Sequence, residues 1–130
     1  MRYLGIDYGT KKIGLAIGDD ETRIATPLEI VEEENQHAFV NYLNSLIKRE
    51  GIGTLVIGIP EFSKELYKEH FEKVKSFSDF IQKNTGIPAI EVDESFTTKE
   101  AGHLLGKGNR GRDDAVAAML LVQHVLDRVV

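Results

Sequence analysis

The sequence predicts an α/β fold, a mixed sheet covered by helices. Three observations point to it. Two β-rich apolar runs flank a tight polar turn at the N-terminus, a third extended run follows, and strands then alternate with segments of helical periodicity. The order read from the chain is βββαβαβαα.

Residues 2–8 and 12–18 form the first two runs, joined by YGTKK with Gly9 in the turn, which reads as a hairpin. ATPLEIVEE, residues 25–33, is a third strand. Pro27 places it at a sheet edge, because proline offers no N–H to a ladder. QHAFVNYLNSLIKREG carries apolar residues at 38, 39, 42, 43, 46 and 47, the spacing of a helix, and Gly51 supplies the stop. TLVIGIP, residues 54–60, is a short unbroken apolar run, as in a strand buried on both faces. In KELYKEHFEKVKSFSDFIQKNTG the apolar positions 67, 71, 74, 77 and 81 predict a second helix ending at Gly86. IPAIEVDE, residues 87–94, is a strand ending in two acids. TTKEAGHLLG opens with Thr97 and has Glu100 three residues on, a capping box for a short helix. DDAVAAMLLVQHVLDRVV, residues 113–130, is a mostly apolar final helix.

With 130 residues, 42% hydrophobic and 28% charged, the chain is expected to form one soluble domain over residues 1–130. The absence of cysteine excludes disulfides and thiolate metal sites. No apolar stretch approaches a membrane span. The N-terminus enters a strand almost at once, without the layout of a signal peptide, so the cytoplasm is the expected location. The net charge of −5 disfavours nucleic acid as a partner unless a local basic patch overrides it.

Asp7 stands out as a carboxylate inside an apolar strand. It could accept turn hydrogen bonds from the Gly9 and Thr10 amides. It could also belong to a set, because Asp93 and Glu94 end a later strand and Asp113 and Asp114 open the last helix. In α/β folds such ends gather on one side of the sheet, where sites form. Carboxylates gathered there repel one another, and hard cations with oxygen ligands best offset the repulsion. Two Mg²⁺ ions about 4 Å apart could then activate water and stabilise a leaving oxygen in phosphodiester cleavage. Beside Asp113 lies GKGNRGR, residues 106–112, with three positive charges, three glycines and no acid. It is either a solvated loop or a phosphate-binding one, with Lys107, Arg110 and Arg112 as contacts, joined by Lys11 and Lys12 from the first turn. Tyr8 is either a stacking residue or a packed turn residue. His37, His70 and His124 fall on helix positions that face solvent or a helix boundary, His103 lies near the proposed site but reads as structural, and Asp19 and Asp20 read as a turn.

GIDYGTKKIGLAIGD, the following TPL, VIGIP, VDESFTT and RDDAVAAMLL together resemble, in that order, the YqgF (RuvX-like) family. Its members are described as pre-16S rRNA nucleases related to Holliday junction resolvases. The resemblance implies an RNase H-like fold, with a five-stranded sheet in the order 3-2-1-4-5 and the first three strands antiparallel. It also implies that Asp7, Glu94 and Asp113 are the catalytic and metal-binding acids, with Mg²⁺ or Mn²⁺ as cofactor and Asp114 or Asp93 as further ligands. Precursor rRNA or a ribosomal particle is the implied partner ahead of a DNA junction, with the chain a monomer or weak homodimer. Some positions depart from the family pattern. Ser95 stands where the family has Arg after the acid, Lys12 where Arg is common, and EFSKEL where a segment ending in Asp-Gly is usual. Lys12 keeps the charge without the bidentate geometry. These departures also admit a non-catalytic RNA- or ribosome-binding module. DYGT resembles, in addition, the first phosphate loop of actin, Hsp70 and sugar kinases, but those close two such lobes over a nucleotide and this chain has the length of one.

Overall fold

The computed structural model describes residues 1–9, 12–32, 35–60, 68–94 and 114–128. Five strands, β1 (Arg2–Tyr8), β2 (Lys12–Asp19), β3 (Ile24–Glu32), β4 (Ile52–Ile59) and β5 (Ala89–Asp93), form one sheet in the order β3-β2-β1-β4-β5. β1 and β2 pair antiparallel, as do β2 and β3, while β4 runs parallel to both β1 and β5. Helices α1 (Gln36–Glu50), α2 (Lys68–Thr85) and α3 (Asp114–Leu126) complete the described elements. The expected mixed sheet is therefore the observed one. The short helix expected from Thr97 lies outside the described residues.

Side-chain alternation along β1 divides the core in two. Leu4, Ile6 and Tyr8 join Leu43 and Leu46 of α1 and Val74, Phe77 and Ile81 of α2 on one face. Tyr3 and Val56 join Leu121, Val122, Val125 and Leu126 of α3 on the other. β4 lies between these layers and is buried along most of its length, as its unbroken apolar run predicts. β3 is an edge strand as Pro27 predicts. Pro27 sits opposite Ala16, where the register slips by a bulge.

The ends of the helices follow their local chemistry. The Asn35 side chain accepts a hydrogen bond from the Ala38 N–H and caps α1, and Gly51 in the left-handed region ends it. Gly86, also left-handed, donates its N–H to the Gln82 carbonyl after α2. β5 begins two residues later than expected, because Pro88 only lends its carbonyl to the Leu55 N–H before regular pairing starts. The fully buried Ser78 and the half-exposed Lys75, both on α2, donate to Glu91 at 2.8 Å and 2.6 Å and tie α2 to β5.

Candidate active site

β1, β4 and β5 are parallel, so their C-terminal ends share one edge of the sheet, and α2 starts beyond β4 at that edge. Asp7 is the next-to-last residue of β1 and lies on the α3 face, in step with Tyr3 and Gly5. The Gly9 N–H, expected to donate to Asp7, donates instead to the Lys12 carbonyl at 2.9 Å, and Thr10 lies outside the described residues. Opposite Asp7 in the ladder is Gly14, and the backbone of Asp114 at the start of α3 rests directly on it. A Cβ at residue 14 would overlap the Asp114 carbonyl. Glycine at this position therefore lets α3 begin beside Asp7.

Glu94 arrives from the far side. It follows β5, two strands away from β1, and its side chain lies over Gly58 of β4. There it reaches hydrogen-bonding contact with Asp7. Burial, then the hydrogen bond and charge of Glu94, then the charge of Asp114 push the Asp7 carboxyl up to about 9. At neutral pH Asp7 therefore keeps its proton, and the pair is held by an O–H donated between two carboxyl groups. His70, in the first turn of α2, acts on Asp7 in the opposite direction.

The structure thus brings Asp7, Glu94 and the start of α3 together. The β5 register pairs Asp93 with Ile59, which packs on the α1/α2 face, so strand alternation sends Asp93 away from Asp7. Tyr8 is buried with its ring centroid 4.0 Å from that of Phe77, so it is a core residue and not a stacking platform. Lys12 is exposed at the start of β2, just past the hairpin. Asp113, Lys11, Lys107, Arg110, Arg112, Ser95 and His103 lie outside the described residues. His70, expected to face solvent or a helix boundary, stands at the start of α2, but its bearing on Asp7 was not read from the sequence. The signal was its place at the start of a helix that follows a strand's C-terminal end.

The donor chemistry suits a hard divalent cation. Asp7 and Glu94 offer only oxygen, in a partly buried place where a shared proton relieves the like-charge repulsion. A divalent ion can replace that proton. Among the described residues no three Asp, Glu, His or Cys side chains form a group that could hold a metal ion. Nor is any helix of the described residues long and apolar enough to cross a membrane.

The model of the family described as "RuvX: Holliday junction resolvase" matches residues 1–128. The chain belongs to the RuvX family. Among its curated relatives, proteins named "Putative pre-16S rRNA nuclease" from Rickettsia canadensis and Anaplasma marginale are 34% and 36% identical. Each match covers 97% of this chain, and 86% and 84% of the respective relative. The fold is that of RuvC-like resolvases. Thermus thermophilus RuvC bound to a Holliday junction substrate superposes with a TM-score of 0.62 at 17% identity, covering 97% of this chain and 94% of that one. The fowlpox virus resolvase bound to Holliday junction DNA gives 0.54 at 14% identity, covering 98% and 97%. This RuvX chain therefore sits in a family of nucleases, on a fold shared with junction resolvases.

Proposed function

We propose that residues 1–130 form one RNase H-like nuclease domain, a divalent-metal-dependent endonuclease that hydrolyses phosphodiester bonds in structured nucleic acid. Its substrate is the precursor of 16S rRNA, processed at the 5′ end in the cytoplasm. The observation that carries this reading is the Asp7–Glu94 carboxyl pair at the C-terminal edge of the sheet, beside the start of α3. Asp7 and Glu94, with Asp113 from the segment just before α3, are the ligands for Mg²⁺ or Mn²⁺. Asp114 adds negative charge from the first turn of α3. Bound divalent cations supply charge neutralisation at the phosphate and an activated water. For the protein's own residues, uptake of the cation means releasing the proton shared by Asp7 and Glu94 and holding both oxygens toward the ion. Lys11, Lys12, Lys107, Arg110 and Arg112 hold the phosphate backbone, through contacts that do not depend on base sequence. The names of the curated relatives support the RNA substrate. A four-way DNA junction is the second reading, favoured by the description of the family model.

Purified protein should be offered precursor 16S rRNA and a four-way DNA junction side by side. Cleavage of the RNA with Mg²⁺ or Mn²⁺, absent with a chelator and absent in Asp7→Asn, is the expected result. Cleavage confined to the junction would transfer the activity to DNA, and cleavage of neither would leave a binding module.

A further inference from the structure

Asp7 and Glu94 come from strands that are not neighbours. In the order β1-β4-β5, the two outer strands lie about 10 Å apart, twice the usual strand spacing. β4 runs between them, and its residue beneath the gap is Gly58. Ile6 is level with Ile57, so Asp7 and Gly58 follow side by side, while Gly58 is level with Val92, two residues before Glu94. Glu94 must therefore lean back across β4 to reach Asp7. A Cβ built on Gly58 would lie 2.7 Å from Glu94 Oε1, 2.8 Å from its Cγ and 2.9 Å from Leu121 Cδ1. All three distances are far inside van der Waals contact, and two of the three are to Glu94.

We propose that Gly58 is a positioning residue. Its bare Cα forms the seat on which the Glu94 side chain crosses β4, and so fixes how closely Glu94 approaches Asp7. Any side chain at 58 lifts Glu94 away from Asp7 without altering a ligand atom. The crossing also accounts for the choice of acid at 94. Glutamate has one more methylene than aspartate for the reach across an intervening strand. This inference rests on the proposed metal-dependent function for its consequence, but not for its geometry.

The test uses Gly58→Ala, Glu94→Ala and the double variant, with Mn²⁺ binding followed by calorimetry and unfolding followed by temperature. Gly58→Ala should bind Mn²⁺ at least tenfold more weakly than the wild type. The drop in unfolding midpoint caused by Gly58→Ala should be at least halved when Glu94→Ala is also present, because the crowded side chain is then gone. Should Gly58→Ala fail to fold while the double variant folds, the crowding is again located at Glu94. Wild-type Mn²⁺ affinity in Gly58→Ala would overturn the inference. So would an equal drop in both backgrounds, or failure of both variants to fold, since either assigns the contact to Leu121. If the wild type takes up no Mn²⁺, the metal-dependent function fails, and the unfolding comparison still decides whether Gly58 seats Glu94.

Discussion

At Asp7 the sheet's demand for apolar side chains meets the site's demand for charge, and the outcome is a carboxyl that holds its proton to about pH 9. The consequence for stability has a definite sign. The folded state binds this proton well above the ordinary carboxylate range, whereas the unfolded chain releases it near pH 4. The contribution is therefore fully present at low pH and is lost as pH rises from about 4 to 9, with a slope of at most about 1.4 kcal/mol per pH unit from this group. Denaturant unfolding of the metal-free protein across that range should show the decline, and Asp7→Asn should flatten it. The same variant should keep the fold, lose most nuclease activity, and unfold later than the wild type at pH 8. Activity within a few-fold of the wild type would remove Asp7 from the ligand set. Tyr42 offers a contrasting case. Its buried hydroxyl has no hydrogen-bond partner among the described residues. An unsatisfied buried hydroxyl is costly, so Tyr42→Phe should leave thermal stability equal or raise it by roughly 1 kcal/mol.

Two elements carry the acids to Asp7, and each is held by a contact outside the site. β5 is short, lies at the sheet edge and is mostly exposed, so its position depends on α2 through the Ser78 and Lys75 hydrogen bonds to Glu91. Ser78→Ala should cost on the order of 1 kcal/mol in denaturant unfolding, the usual value of a lost buried hydrogen bond. Activity should decline with it, because β5 leads into Glu94. α3 is anchored by the approach of Asp114 to Gly14. Ahead of α3 runs the basic segment 106–112. Changing Lys107, Arg110 and Arg112 to Ala together should weaken binding uniformly across RNA sequences. It should also reduce the log–log salt slope by roughly 0.7 to 0.9 per lost phosphate contact. An unchanged slope would shift attention to Lys11 and Lys12.

For the whole molecule, a net charge of −5 means that the global field opposes a polyanion. Binding must then come from a local patch and from cations that cancel the carboxylates. Mg²⁺ should raise the unfolding temperature of the wild type but not of Asp7→Asn, since only a native state with its ligands intact gains from the ion. At about a hundred times the dissociation constant the gain is about 2.7 kcal/mol. Equal shifts in both proteins would indicate nonspecific ion effects.

What the sequence determined by itself follows from local chemistry. Alternation and helical spacing placed every described strand and helix within a few residues. Pro27 marked the edge strand, Gly51 and Gly86 marked helix ends, and unbroken apolarity marked β4. The acids at element ends were legible as residues because each interrupts or bounds an apolar run. Apart from the family resemblance, which singled out Asp7, Glu94 and Asp113, local patterns could not determine which of them meet. Adjacent acids such as Asp93 and Glu94 look equivalent in the chain, and only the β5 register sends one to each face of the sheet. His70 read only as a solvent-facing or helix-boundary residue until the parallel strands placed the start of α2 at the site edge. Gly14 and Gly58 looked like ordinary strand glycines, and only tertiary packing shows that the missing side chains make room for Asp114 and Glu94. The physical reason is that periodicity acts over a few residues, whereas the site is assembled across strands, by register and by the absence of atoms.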